Sequence, residues 1–105
     1  MTEERQKKSE SESKQASEGV VLIGKKPIMN YVIACLTFFN SGAQKVVVKA
    51  RGRAISRAVD TVELLRRAFM KDLQLGDISI GTEEVARSDG QKTNVSTIEI
   101  TLTRP

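Results

Sequence analysis

Apolar and polar positions divide this chain into a polar N-terminal stretch followed by patterned segments. Residues 2–18, TEERQKKSESESKQASE, carry almost no apolar side chain. Such a stretch cannot bury enough surface to offset its ordering entropy, so 1–18 is expected to be a disordered tail and 19–105 one folded domain. Gly19 to Ile23 is a short, β-branched apolar run and predicts a buried strand. Pro27 suits a first helical position, where the amide it lacks would have no partner. Ile28, Val32, Leu36 and Phe39 then mark one helical stripe, which Met29, Ile33 and Cys35 widen. Asn40-Ser41-Gly42 ends that helix.

From Gln44 to Arg51 the pattern alternates, with Val46, Val48 and Ala50 on one face and Lys45, Val47, Lys49 and Arg51 on the other. A strand with one core face and one largely basic face is expected, and Gly52 breaks it. A second helix spans about Ala54 to Met70, with Ile55, Ala58, Val59, Val62, Leu65 and Phe69 in one stripe. Leu64 falls on the opposite side, which hints at a partner subunit. Glu63 with Arg67 and Arg57 with Asp60 are spaced for surface ion pairs, worth roughly 0.2–0.5 kcal/mol each.

The remainder reads as a hairpin turning at Asp89-Gly90. A register in which paired numbers sum to 180 sets Ile78 against Leu102, Ile80 against Ile100 and Val85 against Val95. Residues 78, 80, 98, 100 and 102 are even whereas 85 and 95 are odd, so the base belongs to the sheet and a twist or bulge toward the tip is expected. The polar tip, TEEVARSDGQKTN, should project as an arm. The order β-α-β-α-β-β favours parallel neighbours with right-handed crossovers and a final antiparallel strand. The fold class is therefore α/β (α+β), a two-layer sandwich with two helices on one face of a four-stranded mixed sheet and a projecting C-terminal hairpin.

Composition narrows what such a domain can do. Among 105 residues there are four aromatic side chains, Tyr31, Phe38, Phe39 and Phe69, too few for a platform of stacked rings. No stretch approaches the ~18 apolar residues of a membrane span and the N-terminus is too polar for a secretory signal, so no membrane partner and a cytoplasmic location are expected. Cys35 is the one cysteine and histidine is absent, which removes an internal disulfide, the usual zinc sets and every Ser-His or Cys-His arrangement. No metal, cofactor or catalytic group is called for. Asp60 and Glu63 are the only helical acid pair near the basic residues, and their spacing serves surface ion pairs more simply than catalysis.

Charge changes the picture more. The chain is +4 overall while the tail through Glu18 sums to −1, so the basicity belongs to the folded part. Between Gly24 and Arg57 stand seven basic residues, Lys25, Lys26, Lys45, Lys49, Arg51, Arg53 and Arg57, and no acidic one. Six basic residues face eight acidic ones from Ala58 onward. The N-terminal half of the fold thus presents a positive field.

Lys25 and Lys26 lie in the loop leaving the first strand, Arg51 and Arg53 in the loop leaving the second. Parallel neighbours send both loops out at one edge, where two helix N-termini add partial positive charge and free amides. Lys25, Lys26, Arg51, Arg53 and Arg57 are expected to form one anion-binding patch. The stretch GKKP lacks the spacing G-x-x-x-x-G-K-[ST], and no G-x-G-x-x-G occurs, so a mononucleotide cradle is not indicated. Spread cations without a pocket signature suit a polyanion backbone, bound electrostatically and with strong salt dependence. Arg87, Gln91, Lys92 and Asn94 on the arm could enter a groove beside that contact.

The run VVLIGKKPIMNYVIACLTFFNSG, then VVVKARGRAISRAVDTVELLRRAF and STIEI, resembles the Alba family of small basic archaeal chromatin proteins over about Val20 to Leu102. The resemblance implies a homodimer that binds double-stranded DNA with little sequence preference, and RNA as well. It places Lys25 and Lys26 on the dimer body against DNA, Lys49, Arg51 and Arg53 in backbone contacts, and Arg87 and Lys92 on arms reaching toward the minor groove. It further implies contacts between neighbouring dimers through Phe69, acetylation at Lys25, and pairing with a paralogue where one exists. Two functions follow as expectations: a chromosome-associated, DNA-compacting protein, or an RNA-binding subunit of a ribonucleoprotein or RNA-processing complex.

Overall fold

The computed structural model describes residues 18–105, and the expectation for the tail before Glu18 lies outside them. Glu18, assigned to the tail from sequence, instead opens the first strand and pairs with Lys45. The elements are β1 (Glu18–Leu22), α1 (Ile28–Asn40), β2 (Lys45–Arg51), α2 (Ala54–Leu64, continued by a π turn over Leu65–Phe69), β3 (Gln74–Ala86) and β4 (Lys92–Thr103). The expected two-layer fold is what forms. The sheet order is β1-β2-β4-β3, with β1 parallel to β2 and the other two pairings antiparallel.

Alternation along β2 decides where the core sits. Val46, Val48 and Ala50 face Leu102, Ile100 and Ile98 across the ladder, and Val21 lies beside Val48. Both helices pack over this side, sealing Val32, Cys35, Phe39, Ala58 and Leu65 against it. Gly42, with φ of 105°, turns the chain out of α1 in the left-handed conformation that glycine adopts at least cost.

Gly19 is constrained differently. A Cβ on it would stand 2.5 Å from Cγ of Phe38, at the root of the ring where rotation gives no relief. Gly19→Ala is therefore expected to cost about 1–3 kcal/mol by overpacking, measurable as a lowered urea midpoint with unchanged slope.

Four local expectations need correction. Met29 and Ile33 do not widen the core stripe of α1 but lie exposed, and Tyr31 takes the buried flank instead. On α2, Val59 is exposed, Leu64 is half-buried against the core, and Phe69 is 46% exposed. The reason for Phe69 is the π turn, whose Met70 amide donates to the Leu65 carbonyl at 2.8 Å. One extra residue in that turn delays the return to the core face, and the side chain leaves the stripe.

The hairpin register differs by two. Ile78 faces Ile100, Ile80 faces Ile98 and Ala86 faces Lys92, so paired numbers sum to 178. A three-residue hairpin loop places its left-handed residue last. Gly90, with φ of 88°, accordingly closes Ser88-Asp89-Gly90 rather than standing at its centre. A shift of two preserves faces, so the core assignment survives. The irregularity lies at the base, between Leu75 and Ile78, not toward the tip.

Candidate nucleic-acid interface

The loop after β1 is short and fixed on both sides. The amides of Gly24 and Lys26 donate to the phenol oxygen of Tyr31 at 2.9 and 3.0 Å. From the other side, Nε of Arg57 donates to the Gly24 carbonyl at 3.0 Å and Nη2 donates to the Lys26 carbonyl. Lys25 and Lys26 themselves are exposed. Because Arg57 belongs to the first turn of α2, these bonds bring the lysine loop against the start of that helix.

The loop after β2 reaches the same edge. Gly52, with φ of 58°, receives the turn, and its amide donates to the Ser96 carbonyl at 2.8 Å. Arg53 follows at the position preceding α2 and is exposed. Both helices start there without a side-chain cap and without an acid in the first turn. Their aligned peptide dipoles therefore add to the field of Lys25, Lys26 and Arg53. Among the described residues these three cations form no ion pair.

Lys49 and Arg51 occupy a different surface. Both project from the sheet face opposite α1 and α2, where Lys49 meets Glu99 at 3.6 Å and Arg51 meets Glu83 at 3.1 Å. Lys45 and Glu18 make a third such pair at 3.8 Å. A groove of about 560 Å³ runs through this area, lined by Leu22, Lys49, Arg51, Glu83, Thr97 and Glu99 among others. Two cations and two carboxylates there cancel, so the groove is not a preformed anion pocket. Exposed pairs of this kind are worth only about 0.2–1 kcal/mol, little enough for a phosphate to displace the carboxylate.

On the arm, Arg87 lies 3.4 Å from Asp89 and Lys92 lies 3.9 Å from Glu84. On α2 the partner of Glu63 is Arg66 at 3.6 Å rather than Arg67, and Arg57 is engaged with the lysine loop rather than Asp60. The eight sequence-selected cations thus divide into an edge group of Lys25, Lys26, Arg53 and Arg57, an open-face pair of Lys49 and Arg51, and an arm pair of Arg87 and Lys92. Tyr31 was not singled out from sequence. Its place three residues after Ile28 and four before Cys35 puts it on the buried face, and a buried phenol needs polar partners.

Fold and edge together define a class: a small mixed-sheet sandwich whose strand-end loops and helix starts gather positive charge on one border. The chain belongs to the Alba family, whose model matches residues 19–82. It is 56% identical over 88 residues to a DNA/RNA-binding protein Alba of Methanocella arvoryzae, covering 84% of this chain and 92% of that one. Among solved structures it is similar to Alba from Thermoplasma volcanium, with a TM-score of 0.77, 47% identity, and 81% and 99% of the two chains covered. ALBA1 from Trypanosoma brucei superposes with a TM-score of 0.67 at 26% identity, over 81% of this chain and 68% of that one.

Proposed function

We propose that this chain binds double-stranded DNA, and RNA, through phosphate contacts with little sequence preference, and that it organises or compacts DNA on the chromosome in the cytoplasm. One observation carries the proposal: among the described residues Lys25, Lys26 and Arg53 form no ion pair, at an edge where two uncapped helix N-termini open. The DNA/RNA-binding description of the Methanocella relative supports it. Lys49 and Arg51 join when phosphate replaces their glutamates, and Arg87 and Lys92 extend the contact along the arm. Acetylation of Lys25 would withdraw one charge from the centre of the edge. Titration of duplexes of unrelated sequence should give a logarithm of affinity that falls linearly with the logarithm of salt. Affinity indifferent to salt would sink the proposal.

The working unit is proposed to be a homodimer, with a paralogue as an alternative second subunit. Its support is the helix-side face of β3, left uncovered among the described residues: Ile78 is 53% exposed and Ile80 82% exposed, with Leu75 also open and Val59 open on α2. A strand edge carrying aligned apolar side chains is poorly suited to stand alone in water. Ile80→Lys is expected to convert a dimer into a monomer in sedimentation equilibrium at micromolar concentration while leaving the far-ultraviolet spectrum unchanged. Phe69, turned outward by the π turn, is the proposed contact between neighbouring dimers on DNA.

A second reading, an RNA-binding subunit of a ribonucleoprotein or RNA-processing complex, uses the same edge, because A-form helices are recognised mostly through phosphate, 2′-hydroxyl and shape. Crosslinking in cells separates the two. Recovery confined to structured RNA would favour the subunit, and recovery spread across the chromosome the DNA-organising role.

A further inference from the structure

We infer that Arg57 and Tyr31 are positioning residues for the lysine loop, acting on nucleic acid through Lys25 and Lys26 rather than by touching phosphate. The inference rests on the nucleic-acid reading above and assigns Arg57 a role that its charge alone does not suggest.

Four hydrogen bonds hold the loop. Tyr31 is buried, and its oxygen gathers the Gly24 and Lys26 amides. Arg57 spans the carbonyls of the same two residues, using Nε on one and Nη2 on the other. The loop is thereby fixed on its donor side by a phenol and on its acceptor side by a guanidinium. Carbonyls turned toward Arg57 are not turned toward an approaching anion, which removes a repulsion from the contact surface. Adjacent ammonium groups on Lys25 and Lys26 repel each other, and a loop free to rearrange would carry them apart. Held in place, the pair meets phosphate without losing loop entropy at the moment of binding.

A guanidinium is required by geometry. Its planar fork presents donors fixed relative to one another, whereas an ammonium is a point donor on a flexible stem. Arg57→Lys therefore keeps the charge and loses the bridge. A residue that serves only as one more phosphate contact would be nearly insensitive to that change.

The test uses the full chain, the R57K and Y31F variants, and a short random-sequence DNA duplex. Affinity is measured against salt, and amide exchange of Gly24 and Lys26 is followed by nuclear magnetic resonance without DNA. Expected results are affinity about three- to tenfold lower in each variant at fixed salt, the scale of one or two missing hydrogen bonds. The slope of affinity against salt should be unchanged, and exchange at both amides faster. Arg57 is only half-buried, so R57K keeps the test open where Y31F is poorly folded. R57K with wild-type affinity, the result that a plain phosphate contact retaining its charge would give, overturns the positioning role. Unchanged amide exchange in R57K overturns the clamp itself. Failure of the wild-type protein to bind duplex overturns the nucleic-acid reading and the positioning role with it, while the exchange data still report on the clamp.

Discussion

Lys25→Ala combined with Lys26→Ala is expected to lower duplex affinity by roughly tenfold for each phosphate no longer neutralised at about 0.1 M salt, and to do so equally for unrelated sequences. The magnitude follows from counterion release. Each phosphate neutralised contributes about 0.9 to the slope of log affinity against log salt, so removing both ammonium groups flattens that slope by close to 2 per protomer. Sequence independence follows from the kind of contact, because phosphates fix register without reporting base identity. These lysines should matter more than Lys49 or Arg51, since Glu99 and Glu83 must first be displaced from the latter two. Anisotropy titrations at several salt concentrations check both numbers. An unchanged slope with reduced affinity would mean that the two lysines act on folding or on loop shape and not on phosphate.

The edge group was legible because its cause is topological. Two parallel strands joined through a helix must send their next loops out on the same side, and the sequence places Gly24-Lys25-Lys26 in one and Gly52-Arg53 in the other. Arg51, expected from sequence in the same patch, is instead the last residue of β2 and pairs with Glu83. Side-chain partners were less legible. Nothing in the spacing of Lys49 and Glu99, or of Arg51 and Glu83, reveals that they meet, because each pairing depends on strand order in the sheet and on hairpin register. The same holds for Arg57. Counted with its helical neighbour Asp60 it looks like half of a surface ion pair, and only the approach of the β1–α1 loop turns it inward.

The fold shows the same division. Alternation in β2 and the stripe in α1 identify core positions directly, since period and burial are set within one element. Phe69 escaped that logic because a single π turn shifts phase without leaving a mark in the hydrophobic pattern. Ile78 and Ile80 escaped it in the opposite way. Their alternation is that of a half-buried strand, yet α1 and α2 pack over β1 and β2 and leave the β3 edge open. Among the described residues nothing packs above these apolar side chains, and this exposure is the support for the homodimer proposed above.

Phe39→Ala should destabilise the domain by about 3–5 kcal/mol, a large share of the roughly 5–15 kcal/mol that holds a domain of this size together. Phe39 is among the largest fully buried side chains, and its carbonyl accepts from Arg104 at 2.8 Å, so the site is tied to the chain end and cannot collapse freely around the void. Cys35, one turn earlier, supplies the readout. Burial pushes its thiol up to about 12, whereas an unfolded cysteine titrates near 8.5. In the native state it is therefore both inaccessible and protonated, and alkylation proceeds through opening. At constant pH the alkylation rate should rise about a hundredfold or more in the variant, the factor that 3 kcal/mol makes in an opening equilibrium. The sign of the pH dependence is also fixed. The folded pKa is raised, so the native state holds the proton more tightly, and the stability contributed by Cys35 is complete below about pH 8.5 and lost as pH climbs toward 12. Denaturation midpoints that fall above pH 8.5 in the wild type, but not in Cys35→Ala, would confirm that the thiol is the group responsible.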